Sequence, residues 1–235
     1  MSDVVVLITG ANRGIGFELT KQYLINGWTV IATCRDINSS VELNVLKDKY
    51  FDKLLIESLD ITSPEQIEQL ANTLSHNNLK IDLIVNNAGY LDRENQSMHT
   101  IHYASAEMSF KVNSLGPLFL IHCFLPLMNK ERLSKIAIIS SAMGSLSLEQ
   151  SVAWYGYRMS KAAANMLAVN LSTELADDNI AVVAVHPGWV QTDMGGTLAK
   201  ENVNDSAHGI MNVINNLSLS NTGTFYDFSG EKLPL

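Results

Sequence analysis

The chain has 235 residues, enough for one α/β domain, and 46% of them are hydrophobic against 17% charged, which excludes a disordered chain. A net charge of −8 argues against general nucleic-acid binding, and no Lys/Arg-rich run offers itself to anionic lipid. Cys34 and Cys123 are too few for a disulfide framework and fit free thiols of a cytoplasmic protein.

Taken in order, short apolar runs alternate with helix-period segments. Val4–Thr9 is a β-branched and aliphatic run, and no basic residues precede it, so a strand is expected rather than a signal peptide. Phe17–Ile25 has helical spacing, and Asn26-Gly27 closes it before a second strand over Trp28–Thr33. Leu54–Ile56, Ile81–Val85, Ile136–Ile139 and Ile180–Val185 read as further strands whose continuous apolarity suits a parallel sheet covered on both faces. Ser63-Pro64-Glu65 signals a helix start. Two long helices are expected over Ala104–Asn129 and Ala153–Asp178, longer than one core face needs, which points to a second packing surface. Asp205–Asn216 and Gly223–Tyr226 supply a last helix and strand. The longest uncharged stretch, Asn113–Asn129, holds Asn, Gly, His and proline, and is expected to be too short and too polar to span a membrane. No Pro/Gly/Ser linker divides the chain. The expected fold is a single α/β domain over 1–235, a Rossmann-like doubly wound parallel sheet.

Ligands of such sheets sit at the carboxyl ends of the strands. After the first strand come Gly10, Asn12, Arg13, Gly14, Ile15 and Gly16, a G-x3-G-x-G turn that opens a helix. Glycines let the backbone approach a pyrophosphate, and the helix N-terminus offers free N–H groups to it. At the end of the second strand, Cys34 stands where NAD-preferring folds place a carboxylate for the ribose 2′-hydroxyl. Arg35 follows, so Arg13 and Arg35 together predict a 2′-phosphate, and NADP(H) over NAD(H); Asp36 counts against it.

Of the seven tyrosines only Tyr157 has a lysine, Lys161, four residues on. Positions i and i+4 share a helix face, so the ammonium is expected to draw the phenol down from about 10 and make it a general acid or base. Ser140-Ser141 end the fifth run, where a hydroxyl faces the ligand crevice.

The set Thr9-Gly10-x3-Gly14-x-Gly16, Asn86-Asn87-Ala88-Gly89, Tyr157-x3-Lys161 and Pro187-Gly188 resembles the short-chain dehydrogenase/reductase family across nearly the whole chain. Ala11-Asn12-Arg13, Ala32–Asp36, Pro187–Gly196 and Phe225-Tyr226-Asp227 are similar to the branch holding the C-signal (C-factor) proteins and sniffer-type carbonyl reductases. That resemblance implies a catalytic set of Tyr157, Lys161, Ser141 and Asn113, with Asn113 anchoring a water beside Lys161. It implies that Asp60 and Ile61 lie at the adenine, that Asn87, Ala88 and Gly89 line the cofactor, and that Pro187, Gly188, Val190 and Thr192 hold the nicotinamide end. Ser141 lies 16 positions before Tyr157, which predicts an extended loop over Gly144–Ala153. A homodimer or homotetramer through the two long helices is implied as well.

The expected activity is reduction of a small-molecule carbonyl by NADPH. The alternatives are alcohol oxidation by the same residues, or a cofactor-binding signalling protein. No metal is needed; His99 and His102 lack a third ligand nearby. His186 ends the sixth run beside the expected pocket and is assigned no role.

Overall fold

The structure is a computed structural model, and it describes residues 4–94, 96–148 and 153–235. The strands are β1 (Val5–Thr9), β2 (Thr29–Cys34), β3 (Leu54–Ser58), β4 (Leu83–Asn86), β5 (Ser134–Ile139), β6 (Ile180–His186), β7 (Phe225–Asp227) and β8 (Lys232–Leu233). They form one sheet in the order β3-β2-β1-β4-β5-β6-β7-β8. All pairs are parallel except β7–β8, a short antiparallel edge that the sequence pattern does not announce.

Every residue of β1 and β2 is buried, as their unbroken apolar runs require. One face of the sheet carries Leu7, Ile84, Ile136, Ile138, Val182 and Ala184 under α3 (Pro64–His76), α5 (Gly116–Phe124) and α6 (Tyr155–Glu174). The other carries Val6, Ile8, Val85, Val183 and Val185 under α1 (Gly14–Ile25) and α7 (Val203–Asn215). Each such Val, Leu or Ile side chain contributes roughly 1.5–3 kcal/mol on burial, so the two layers dominate stability.

Local signals act as expected where they are strong. Ser63 caps α3 by accepting from the Gln66 N–H, with Pro64 in the first turn. Gly27 adopts φ +81° beyond α1 and donates to the Leu24 carbonyl. Helix α2 (Val41–Lys49) is not apparent in the sequence, because Leu43 is its one buried residue and periodicity is absent.

The expected helix over Ala104–Asn129 is composite. It runs as α4 (Tyr103–Phe110), a π-helical turn (Lys111–Leu115), α5 and a 3₁₀ turn (Leu125–Leu127). Within Tyr103–Leu127 an 18-residue window has a mean hydropathy of 1.3, so by length and composition alone this run is long and apolar enough to cross a membrane. Within the fold it buries Leu120, Ile121 and Phe124 against the sheet, and it also buries the polar Ser109, Asn113 and Ser114. Helix α6 begins after two left-handed residues, Ala153 (φ +83°) and Trp154 (φ +63°). The loop expected over Gly144–Ala153 falls in part on 149–152, outside the described residues.

Candidate active site

The switch in strand order between β1 and β4 places the ends of β1, β4, β5 and β6 around one crevice. The glycine turn sits at its centre. Gly10 has φ +63°, and a side chain there would lie 3.0 Å from the Ala88 backbone. Gly16 is tighter, since a Cβ would fall 2.3 Å from the Gly10 carbonyl oxygen and 2.4 Å from Asn87 Nδ2. Asn87 Nδ2 donates to the carbonyls of Thr9 and Gly10 at 2.9 and 3.0 Å, and Thr9 Oγ1 accepts from the N–H groups of Asn87 and Ala88. Asn87 and Ala88 therefore lock the end of β4 to the turn, and Gly89 stays exposed beside them.

No side chain caps the start of α1, and its first turn carries no carboxylate. Those N–H groups face the crevice with the positive end of the helix dipole, a fit for a pyrophosphate. Asn12 and Ile15 are half-buried around the turn. Arg13 is exposed and pairs with Asp193 at 2.6 Å. Arg35 is exposed at the end of β2, beside β1, while Cys34 is buried beneath it and accepts from Ser40 Oγ. Asp36 takes the Asn38 N–H in a local turn.

Asp60 Oδ1 accepts from both Thr62 N–H and Thr62 Oγ1, so it shapes the loop after β3. Ile61 packs its side chain in the core. On the far side, Ser206 Oγ donates to the Pro187 carbonyl, and Val190 is buried. Gly188 holds φ +85°. Thr192 accepts from the Gly195 N–H, and its methyl would lie 3.1 Å from a Cβ on Gly14. The loop after β6 thus folds back onto the glycine turn.

Tyr157, Lys161 and Ser141 are all buried where β5 ends against α6. Burial raises the Tyr157 phenol above its ordinary value, and its hydrogen bond with Ser141 draws it partly back. Ser141 also accepts from the Met143 N–H, which fixes the hydroxyl. Lys161 Nζ donates to the Ile139 carbonyl at 2.8 Å and lies 5.7 Å from the centre of the Tyr157 ring. Burial lowers this lysine to about 8. The expectation is that Lys161 pulls the phenol toward neutrality; in this geometry burial is the larger influence on Tyr157 and raises it, while the ammonium is turned to the Ile139 carbonyl.

Asn113 lies in the π-helical turn, with Oδ1 accepting from the Tyr90 N–H and Nδ2 donating to the Tyr90 carbonyl and Ser160 Oγ. A π turn inside a helix frequently marks a functional position. Sequence reasoning missed several partners here. Ser160, Tyr90 and the Ile139 carbonyl position Asn113 and Lys161. Arg93 bonds the carbonyls of Asp193 and Met194. Only backbone atoms are involved at Tyr90 and Ile139, so no residue pattern could disclose them.

Comparison with known proteins agrees with this geometry. Residues 4–203 match the short chain dehydrogenase family. The chain is 38% identical to the C-signal of Myxococcus xanthus over 154 residues, 66% of this chain and 92% of that one. An NADPH-bound carbonyl reductase from chicken fatty liver superposes with TM-score 0.92 at 33% identity, and the carbonyl reductase Sniffer of D. melanogaster with 0.93 at 26%, each over the full length of both chains. A glycine turn against an uncapped helix, a buried Ser-Tyr-Lys group and this family match together place the chain in the short-chain dehydrogenase family, as an NAD(P)-dependent oxidoreductase.

Proposed function

We propose that the protein reduces the carbonyl group of a small molecule with NADPH. The burial of Ser141, Tyr157 and Lys161 together at the end of β5, across from the glycine turn, is the observation that carries this reading. The two carbonyl reductase neighbours support it, the chicken protein with NADPH bound.

The residues present fit such a cofactor. The uncapped start of α1 suits the pyrophosphate, and Arg13 and Arg35 suit a 2′-phosphate, with no carboxylate at Cys34 to repel it. Exchange of Asp193 for phosphate leaves Arg13 paired throughout. Thr192 offers a hydroxyl to the nicotinamide end. When bound, the cofactor supplies the hydride.

The chain supplies the proton and the orientation. Tyr157, held above the ordinary phenol value, is protonated at neutral pH, the form a general acid needs. Ser141 hydrogen-bonds Tyr157 and offers its hydroxyl to the substrate oxygen as charge develops there. Lys161 spends one of its three N–H groups on Ile139 and keeps two for the tyrosine and the cofactor ribose. Asn113, clamped to Tyr90, fixes the loop after β4 beside them.

NADPH consumption across aldehydes, quinones, diketones and ketosteroids tests the reading. Turnover of at least one class, lost by about 100-fold or more in Tyr157→Phe with NADPH binding retained, is expected. No turnover of any class overturns it. The likeness to C-signal supports a second reading, a signalling role. A biological effect that survives Tyr157→Phe would favour that role.

A further inference from the structure

The loop after β6 reaches across the crevice as a braced strap. At its base the Gln191 N–H donates to the Glu201 carbonyl and the Glu201 N–H to the Trp189 carbonyl, both at 2.9 Å. Further out, the Gly196 N–H donates to the Thr192 carbonyl at 2.7 Å and the Gly195 N–H to Thr192 Oγ1 at 3.0 Å. The Trp189 indole donates to the Gly195 carbonyl at 2.9 Å. Hydrogen bonds in series carry a displacement from one end of such a segment to the other.

Two arginines hold the strap from different walls. Arg93, in the loop after β4, donates to the carbonyls of Asp193 and Met194. Arg13, in the glycine turn, pairs with the Asp193 carboxylate at 2.6 Å. The Met194 methyl lies over Gly89, 3.6 Å from where a Cβ would stand, and Asn113 Oδ1 lies 3.7 Å from the same point. The strap therefore joins the glycine turn at Asp193 and lies beside Asn113 at Met194.

The Ala11 N–H donates to the Thr33 carbonyl at 2.9 Å, which ties the glycine turn to the end of β2 and brings Arg13 and Arg35 to one corner of the crevice. In the Arg13–Asp193 pair the arginine side chain is 66% exposed and the carboxylate 75%. Ion pairs this open contribute little, and the carboxylate returns to water at small cost. A phosphate monoester seated on both arginines carries up to twice the charge and accepts from paired N–H groups. It also repels a carboxylate left on the same guanidinium. The stronger anion takes the arginine.

We propose that Asp193 competes with the cofactor's 2′-phosphate for Arg13, so that NADPH, unlike NADH, frees the strap from the glycine turn. This deepens the NADPH reading above and rests on it. Without the phosphate the strap stays pinned from both walls, and Met194 stays over Gly89. With the phosphate in place, Arg93 holds the strap from the β4 side and the Asp193 side is released. Asp193 thus costs some affinity for NADPH and makes movement of the strap conditional on the extra phosphate. It acts through Arg13 and touches no reacting atom; it is a positioning residue.

Asp193→Asn and Asp193→Ala, made in the full chain, test this with two nucleotide probes, adenosine 2′,5′-bisphosphate and adenosine 5′-monophosphate. Both variants are expected to bind the bisphosphate about twofold to fivefold more tightly than wild type, the range an exposed ion pair spans, and the monophosphate unchanged. In Arg13→Gln the same substitutions should gain less, since no pair is left to break. The indole ¹H–¹⁵N signal of Trp189, identified with Trp189→Phe, reports on the strap without turnover. It should shift with the bisphosphate and stay in place with the monophosphate. In unliganded Asp193→Asn it should already lie toward the shifted position. Bisphosphate binding that is unchanged or weaker in both variants overturns the proposal, as does a gain undiminished in Arg13→Gln. A Trp189 signal that answers both nucleotides alike, or neither, also overturns it. Wild-type protein that binds the bisphosphate no more tightly than the monophosphate overturns the NADPH reading itself, and the competition falls with it.

Discussion

Lys161 pays for its position by burial. The fall from an ordinary 10.5 to about 8 corresponds to about 3 kcal/mol against the charged form. Between those two values the unfolded chain holds the proton and the folded chain does not, so this group makes stability rise with pH across that window. Below about pH 8 the full penalty is present. Lys161→Met should therefore unfold at a Tm equal to or above that of the parent at pH 7, while losing about 100-fold or more in kcat. A clear drop in Tm would mean the bond to Ile139 outweighs the desolvation. The same ionisation predicts that turnover declines as pH rises through about 8 and the ammonium is lost. At the adenosine end, Arg35→Asp should cut kcat/KM for NADPH by about 100-fold and leave NADH little changed, since a carboxylate repels the 2′-phosphate and accepts from a 2′-hydroxyl. An unchanged ratio of the two cofactors would remove Arg35 from recognition.

At the scale of elements, the glycine turn and the helix behind it act as one unit. Gly16 packs against the Gly10 carbonyl and Asn87, neither of which has room to give. Gly16→Ala should cost about 1–3 kcal/mol by overpacking and weaken NADPH binding together with it, read by thermal unfolding and by fluorescence quenching. Gly27→Ala gives a control, since a Cβ there meets no atom within 4 Å and only its positive φ is strained. The G-x3-G-x-G spacing and its place between strand and helix were legible in the sequence. The π turn at Asn113 was not. The apolar pattern over Ala104–Asn129 reads as one helix, and the extra residue per turn arises where the Asn113 amide is pulled to the Tyr90 backbone and Ser160. Helix α2 escaped for a different reason: it lies on the surface, with Leu43 alone to mark a buried side.

For the molecule as a whole, exposed apolar residues gather on two adjoining helical stretches. Tyr103, Leu115 and Leu118 stand on the first and Met159 and Met166 on the second. Exposed apolar side chains on adjoining helices are expected to be covered. We propose a homodimer through this face. Light scattering should give twice 25.8 kDa, or four times that mass in a tetramer, and Leu118→Asp with Met166→Asp should give the single chain. A wild-type protein of one chain's mass would refute it.

The linear chain by itself determined the alternation of strands and helices, the phosphate turn and the Tyr157–Lys161 pair, because periodicity, glycine freedom and i,i+4 geometry are local. Tertiary structure decided the rest. Lys161 is tied to a sheet carbonyl and loses proton affinity only because α6 lies across β5. Arg13 meets Asp193 only because the loop after β6 folds over the glycine turn. His186 comes to stand between Ser140 and Asp227 through strand register, and no spacing along the chain encodes which side chains register will bring together.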